Sequence, residues 1–303
     1  MLTNPPDGRA GITADLVRRL IRAQFPQWDG LPVAPVPVDG WDNRTYRLGG
    51  TMTARLPTAA GYVPAVGKEH GWLPRLAPHL PVAVPPVLAK GRPGEGYPYP
   101  WSVRGWLDGE TAAPGRVDDL SRFAVSVGEF ILALQRCDTT GGPVAGEHSW
   151  YRGTPPASYD DETRHCLDLL RGRIDTRLAG EVWEAALAAR WTGRPVWFHG
   201  DISQGNLLVD HGRLSAVIDF GTCGVGDPAC DLVIAWGMFS DESRAAFRAT
   251  VAQDEETWAR ARGWALWKAV LLLVDCIDTD PAKAAANRRI IDEVLAEHRR
   301  PAS

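Results

Sequence analysis

The pattern of hydrophobic and polar residues changes about a third of the way along the chain. Near the start, Thr13 has the character of a helix N-cap and precedes apolar residues at helical spacing. Short apolar runs then alternate with glycine-containing turns, as in antiparallel hairpins. They predict strands over 33–38, 44–48 and 52–56 and an extended segment over 101–107. A helix is predicted over 67–80, with Pro74 near an end or at a kink.

The rest of the chain is predominantly helical in pattern. Seven apolar residues between positions 120 and 134 recur with the helical period of 3.6. Further helices are predicted over 159–171, 181–191, 229–239, 242–252, 255–278 and 281–298, interrupted by a β segment over 207–218. The succession predicts an α+β fold, with a small antiparallel sheet in a first lobe over 1–104 and a mainly helical second lobe over 105–303.

Composition narrows the class of protein. The 303 residues are 45% hydrophobic and 23% charged, as in ordinary globular chains. No apolar run approaches the roughly 20 residues of a membrane span, and the N-terminus carries no basic-then-apolar signal segment, so we expect a cytoplasmic protein that does not bind membranes. Five widely spaced cysteines favour reduced thiols over a disulfide framework or a zinc site.

The charge of the chain is unevenly distributed. A net charge of −4 argues against a nucleic-acid binder that relies on overall basicity. Residues 1–100 hold 11 Lys and Arg against 7 Asp and Glu, whereas residues 101–303 hold 22 against 30. This asymmetry favours an anionic ligand near the first part and a cationic one near the second. Chance variation of the surface explains it equally well.

One predicted hairpin brings together polar side chains that are suited to metal binding and catalysis. Apolar strands are predicted over 207–209 and 214–218, joined by a tight turn at 210–213. Because a hairpin folds its outer ends together, Asn206 and Asp219 are predicted to lie at the same open end.

Asp201 lies five residues before Asn206, on a glycine-containing loop. Three oxygen-bearing side chains are therefore expected to converge. Hard oxygen ligands held partly by substrate phosphates suit Mg²⁺. A further carboxylate beside such a site can orient a hydroxyl nucleophile and accept its proton.

Three motifs follow one another in this stretch. The pattern H-G-D-x-x-x-x-N ends at Asn206, D-F-G begins at Asp219, and G-D-P-x-x-D-L runs from Gly226 to Leu232. In this order and spacing they resemble the aminoglycoside phosphotransferase family, part of the protein-kinase-like group. The resemblance implies a bilobal protein-kinase-like fold and Mg²⁺-dependent transfer of the γ-phosphate of ATP, or of GTP, to a hydroxyl group.

The resemblance also implies residue roles in the second lobe. Asp201 is the catalytic carboxylate, His199 supports its loop, and Asn206 and Asp219 are magnesium ligands. Ser203 either contacts the nucleotide phosphates or is a solvated loop residue.

The resemblance implies a role for one further side chain of the motifs and leaves two alternatives for another. Asp231 braces the catalytic loop in the family pattern. Gln204, inside the loop, carries the same two alternatives as Ser203, a phosphate contact or a solvated loop residue.

In the first lobe the family pattern requires a cation for the phosphates, usually a lysine paired with a helix glutamate. No lysine precedes Lys68, so Arg55 is expected to bind phosphate, with Glu69 as its partner. An exposed strand arginine is the alternative. Arginine keeps its charge, but the geometry of its fork differs from that of an ammonium group.

Backbone groups complete the expected nucleotide site. The N–H groups of Asn43, Arg44 and Thr45 are candidates for the phosphates, unless this segment is only a hairpin turn. The extended segment near residue 105 fits the hinge that binds the purine in kinase-like folds, with Gly105 and Leu107 as the contacts.

The acceptor is expected to be a small hydroxylated molecule. The sequence has no GxxxxGK[ST] loop, and the nine residues between Gly221 and Asp231 are too few for a protein kinase's activation segment. An acidic second lobe favours a cationic acceptor such as an aminoglycoside. Candidate contacts are the acidic residues Asp108, Glu110, Asp160, Asp161 and Glu162 and the rings of Trp150, Tyr151 and Tyr159.

Other functions fit the same motifs. A metabolic kinase acting on choline, homoserine, thiamine or a sugar is one alternative, and a macrolide phosphotransferase is another. An inactive nucleotide-binding pseudokinase is a third, which the filled polar positions disfavour.

Overall fold

The computed structural model describes residues 8–37 and 39–299. The chain folds into two compact units. The first comprises the described residues of Met1–Gly109 together with Ala216–Gly221, and the second comprises Glu110–Ser215 and the described residues of Thr222–Ser303. The sequence-based boundary between residues 104 and 105 remains a prediction.

An antiparallel five-stranded sheet forms the centre of the first unit, in the order β1-β2-β3-β5-β4. Its strands are β1 (Val33–Pro35), β2 (Asn43–Leu48), β3 (Met52–Pro57), β4 (Val87–Gly91) and β5 (Trp101–Gly105). Two helices accompany the sheet, α1 (Ala14–Gln24) and α2 (Val63–Leu76).

The core of the first unit lies between α1 and the sheet. Thr13 caps α1 as predicted, its Oγ1 accepting a hydrogen bond from the Leu16 N–H at 3.2 Å. The apolar stripe of α1 is buried against residues such as Leu48 and Trp101. In α2, Pro74 lies two residues before the helix end, close to an end as predicted.

Helices dominate the second unit. They are α3 (Leu120–Gln135), α4 (Asp160–Leu169), α5 (Thr176–Ala188), α6 (Ile234–Gly237), α7 (Asp241–Val251), α8 (Glu255–Cys276) and α9 (Pro281–His298). In α3 the predicted apolar stripe is buried except at Leu120, which is half-buried.

Short strands in the remaining chain position the loops of the site. They are β6 (Glu110–Thr111), β7 (Val196–Phe198), β8 (Leu207–Asp210), β9 (Arg213–Val217) and β10 (Gly224–Gly226). Strands β6, β8 and β9 form one sheet, and β7 pairs with β10 in another. His211 and Gly212, between β8 and β9, have φ angles of 45° and 70°, as a two-residue hairpin turn requires.

One predicted helix is only partly present. Within 229–239, Pro228–Val233 forms a 3₁₀ helix and only α6 is α-helical. Asp227 caps this segment by accepting a hydrogen bond from the Ala229 N–H at 3.0 Å. The tighter 3₁₀ turns accommodate Asp231, both of whose carboxylate oxygens are bound by another loop.

Several short strands of the structure lie outside the predicted ones. Strands β4, β6, β7 and β10 were not predicted, because they are short or lie among prolines and glycines. No helix within the described residues is long and apolar enough to cross a membrane. All five cysteines are buried and free.

Candidate active site

A buried glutamate and two arginines form the centre of the charged site in the first unit. Glu69 on α2 receives two hydrogen bonds from Arg104 on β5, at 3.0 and 2.6 Å to its two oxygens. Arg55 on β3 approaches the same carboxylate at 3.7 Å. The predicted Arg55–Glu69 pair therefore forms, but Arg104 is the closer and bidentate partner of Glu69.

The electrostatics of Glu69 and Arg55 favour their charged forms. Burial alone would raise the pKa of Glu69, but Arg104 and Arg55 outweigh it and lower that pKa. Burial lowers the pKa of Arg55, whereas Asp219 and Glu69 raise it, and the net shift is upward. Glu69 therefore stays ionised although it is buried.

Asp219 lies beside Arg55 in the first unit. Its Oδ1 accepts a hydrogen bond from the Arg55 Nη2 at 3.1 Å. Asp219 has a φ of 65°, in the left-handed region that only a few non-glycine residues, notably Asp and Asn, adopt. Strain of this kind is concentrated at functional sites. Asp42 also acts electrostatically on Arg55, so carboxylates surround this guanidinium group.

Asp231 holds the loop that carries Asp201 through hydrogen bonds to its backbone. Both oxygens of the buried Asp231 accept backbone N–H bonds, from His199 at 2.7 Å and from Gly200 at 2.6 Å. Gly200 has a φ of 85°, and a Cβ there would lie 3.0 Å from the Thr222 carbonyl oxygen. Only glycine fits this turn without strain. Burial raises the pKa of Asp231 to about 6.

Three side chains of the second unit converge at Asp201. The Asn206 Nδ2 donates to the Asp201 Oδ2 at 2.8 Å and to its backbone carbonyl at 2.9 Å. The Lys268 Nζ on α8 lies 2.5 Å from Oδ1. His199 is buried, and its Nδ1 accepts the Asp201 N–H at 3.2 Å. The Asp201 carboxylate is therefore fixed in orientation while a third of its side chain is exposed.

The charge of Asp201 is also stabilised. Burial alone would raise the pKa of the Asp201 carboxyl, but the Lys268 ammonium group lowers it more, and His199 and Arg152 act in the same direction. The carboxylate is thus ionised and can accept a proton from a bound hydroxyl group.

The predicted phosphate-binding backbone segment lies in a strand. Asn43, Arg44 and Thr45 begin β2 and pair in register with β3. The N–H of Thr45 donates to the Asp39 Oδ1 at 2.9 Å, and Arg44 forms an ion pair with the same carboxylate at 2.8 Å. Their contact with phosphates remains a prediction.

The predicted hinge and loop residues have local partners. The Gly105 N–H donates to the Pro86 carbonyl at 2.9 Å, and Leu107 follows the end of β5 and is half-buried. Ser203 is half-buried and accepts the Asn206 N–H through its own carbonyl at 2.9 Å. The side chain of Gln204 donates to the Gly237 carbonyl at 3.2 Å. Nucleotide contacts at these positions also remain predictions.

The acidic residues considered for an ammonium-bearing acceptor have partners of their own. Glu162 accepts from the Trp267 indole at 2.8 Å, and Asp160 accepts from the Trp183 indole at 2.7 Å. Asp108 accepts from the Trp106 indole at 2.7 Å.

The remaining candidates for acceptor contacts are two further acidic residues and a cluster of aromatic rings. Glu110 pairs with Arg116 at 3.5 Å, and Asp161 is exposed. Among the rings, Tyr159 packs against Trp267 at a centroid distance of 4.2 Å and against Tyr151 at 6.5 Å. The hydroxyl of Tyr159 donates to the Trp150 carbonyl.

Sequence reasoning missed two functional candidates, Arg104 and Lys268. Each carried a signal, because a lone cation within an otherwise apolar strand or helix requires a partner. Arg104 interrupts the apolar strand β5, and Lys268 interrupts the most apolar part of α8.

The donor atoms available suit a magnesium ion better than a transition metal. The amide nitrogen of Asn206 is bound to Asp201, which leaves its carbonyl oxygen for a metal. Asp219 offers a carboxylate, and no group of three or more His, Cys, Asp or Glu within residues 8–37 and 39–299 forms a metal cage. Mg²⁺ uses one or two protein oxygens together with substrate phosphates. Asp219 belongs to the first unit and Asn206 to the second, so their shared metal site remains a prediction.

A family model confirms the assignment made from the motifs. The model described as the phosphotransferase enzyme family matches residues 33–264, about three quarters of the chain. The chain belongs to this family. It is a phosphotransferase, as the resemblance to aminoglycoside phosphotransferases implied.

Solved structures support the fold of this phosphotransferase. An aminoglycoside 2′-phosphotransferase-IIIa, in complex with GDP, matches with a TM-score of 0.70 at 18% identity, covering 95% of this chain and 100% of that one. A macrolide 2′-phosphotransferase from Brachybacterium faecium matches with a TM-score of 0.59 at 23% identity, covering 91% and 97%. A type I macrolide 2′-phosphotransferase gives 0.61 at 20% identity, covering 92% and 98%. The predicted α+β, protein-kinase-like fold is confirmed.

No curated protein matches the phosphotransferase in a sequence comparison.

Proposed function

We propose that this phosphotransferase transfers the γ-phosphate of ATP or GTP to a hydroxyl group of a small molecule. The observation that carries the proposal is the Asp201 carboxylate. It is held on one side by Asn206 and on the other by Lys268, is partly exposed, and has its pKa lowered. Because a carboxylate has about four lone-pair positions, sites on both oxygens stay available to an acceptor hydroxyl.

The proposed reaction is a direct transfer. The acceptor O–H gives its proton to Asp201, and the acceptor oxygen forms a bond to the terminal phosphorus. The bond from that phosphorus to its bridging oxygen breaks and releases the nucleoside diphosphate. Positioning and charge stabilisation supply most of the catalysis in such transfers.

The nucleotide side of the proposal uses the first unit. Arg55 is the phosphate-binding cation, and Asp219 with Asn206 would hold Mg²⁺, which neutralises phosphate charge when bound with the nucleotide. Ser203, Gly105, Leu107 and the Asn43–Thr45 backbone are the further proposed contacts. Structurally similar proteins support a nucleotide donor, since they include GDP, ADP and ATP complexes of phosphotransferases.

For the acceptor, an aminoglycoside-type antibiotic is the first candidate. Structurally similar phosphotransferases form complexes with kanamycin, streptomycin and gentamicin. A macrolide is the second candidate, because macrolide 2′-phosphotransferases are also among the structurally similar proteins. A metabolic alcohol is the remaining alternative.

The test is transfer of labelled γ-phosphate from ATP and GTP to a panel of aminoglycosides, macrolides and metabolic alcohols, with products identified by mass spectrometry. Asp201→Asn should fold normally and lose on the order of 10²–10⁴ in rate. Asp210→Asn, which alters the exposed carboxylate at the end of β8, is the matched control and should retain activity. Absence of transfer to every acceptor, or an active Asp201→Asn variant, would overturn the proposal.

A further inference from the structure

Lys268 is the unexpected partner of the catalytic carboxylate. It is one of only four lysines in the chain, and buried residues of α8, among them Trp267 and Ala269, flank it. Its ammonium group reaches out of this apolar surface to the Asp201 Oδ1 at 2.5 Å, and a third of its side chain is exposed. A cation therefore lies directly beside the place where an acceptor hydroxyl must bind.

A second cation extends the positive charge. The Arg152 guanidinium lies over the Trp267 ring at 4.3 Å from its centroid and donates to the Trp150 carbonyl at 3.1 Å. Arg152 forms no ion pair with a carboxylate in the part of the chain that the structure describes. Its charge also acts on Asp201. The Asp201 carboxylate is thus in contact with one cation and under the electrostatic influence of a second.

The nearby acidic residues offset only part of this charge. Asp160 is paired with Arg164 at 2.7 Å, whereas Glu162 accepts a hydrogen bond from the neutral Trp267 indole and keeps its negative charge. Because Asp201 is already paired with Lys268, its attraction for an ammonium group on the acceptor is largely cancelled by repulsion from Lys268.

We propose that Lys268 is a specificity-determining residue, which selects acceptors whose reacting hydroxyl has no ammonium group beside it. The part of the acceptor that reaches Asp201 is then an uncharged hydroxylated segment, and any amines of the molecule lie farther away. This inference rests on the proposed phosphotransfer to a small-molecule hydroxyl.

The test compares free-amine and N-acetylated forms of the same acceptors, kanamycin and gentamicin, because acetylation removes the charge and keeps the hydroxyls. The measured quantity is the ratio of kcat/KM for the acetylated form to kcat/KM for the free amine. Lys268→Met, which keeps an unbranched side chain and removes the charge, should lower this ratio about tenfold. Lys268→Arg should keep the wild-type ratio, and so should Lys283→Met, which alters an exposed lysine on α9.

The ratio separates selectivity from a structural role. If Lys268 only held Asp201 in place, Lys268→Met would lower kcat/KM for both forms by the same factor, and this result would overturn the inference while leaving the proposed function intact. If the wild-type enzyme accepts only macrolides or uncharged alcohols and Lys268→Met gains aminoglycoside activity, the inference is supported. If the wild-type enzyme transfers phosphate to no acceptor, the proposed function and the inference fall together. A Lys268→Gln variant, with its melting temperature checked, replaces Lys268→Met if the latter does not fold.

Discussion

The charged sites of the two units share a plan but differ in how their buried carboxylate is satisfied. Each unit holds one buried acidic residue, Glu69 or Asp231, and a second one whose side chain is about a third exposed, Asp219 or Asp201. Glu69 is bound by guanidinium groups, whereas Asp231 is bound by backbone N–H groups.

This difference changes the direction of the pKa shift. Burial raises the pKa in both cases, but the two cations beside Glu69 overcome it and lower the pKa of that carboxyl. The electrostatic influence of His199 and the neutral backbone N–H donors do not overcome it at Asp231, whose pKa rises to about 6. The first unit thus keeps its buried charge by ion pairing, and the second positions its loop with a carboxylate that can be protonated near neutrality.

The largest effect should follow from breaking the ion pair in the first unit. Arg104→Met leaves Glu69 buried with only Arg55 at 3.7 Å, so we expect the free energy of unfolding to fall by about 3 kcal/mol. Urea denaturation followed by circular dichroism measures this loss. The matched control is Arg22→Met, which breaks the exposed pair with Asp29 and should cost under about 1 kcal/mol. Equal losses in the two variants would show that burial of the pair contributes nothing.

A pH-dependent effect of similar size is expected at Asp231. Its folded pKa of about 6 exceeds the usual value of about 3.9, so the native state binds more protons than the unfolded state between about pH 4 and 6. The Asp231 contribution to stability is therefore greatest at low pH and is lost as the pH rises through this window. The difference of about two between the folded and unfolded pKa values corresponds to about 3 kcal/mol in the free energy of unfolding.

Asp231→Asn removes this titration. Urea unfolding of both proteins between pH 4 and 7 should show the stability of the variant improving relative to wild type as the pH rises. Asp241→Asn, an exposed residue at the start of α7, is the control and should show no such trend. A constant difference between Asp231→Asn and wild type across this range would contradict the assigned pKa.

The sequence was sufficient for the elements in which local pattern and structure agree. The stripe of α3 and the cap of α1 were predicted because they depend on spacing within one helix. The 3₁₀ helix at Pro228–Val233 was not, because its geometry fits a carboxylate to N–H groups about 30 residues away.

The difference between local spacing and contacts distant in sequence also explains which site residues were predicted and which were missed. Asp201, Asn206 and Asp219 fall in motifs with fixed spacing, so they could be selected from the sequence. Arg104 and Lys268 could be noticed as isolated cations in apolar segments. Their partners lie 35 and 67 residues away in the chain, and no local pattern indicates which carboxylate each will meet.

The smallest effect is expected where a cation makes single rather than bidentate contacts. Arg55 forms one ion pair with Asp219 at 3.1 Å and one with Glu69 at 3.7 Å, each through a single pair of atoms. Arg104, in contrast, donates hydrogen bonds to Glu69 from both terminal nitrogens. An ammonium group can replace the first arrangement but not the second. Arg55→Lys should therefore raise the KM for the nucleotide by no more than about fivefold, equivalent to about 1 kcal/mol. Arg104→Lys should lose most of the stability lost in Arg104→Met. Steady-state kinetics and urea denaturation of both lysine variants decide the matter. A collapse of activity in Arg55→Lys would mean that the nucleotide requires the planar fork at position 55, and the contrast between the two arginines would then lie in their ligands rather than in their geometry.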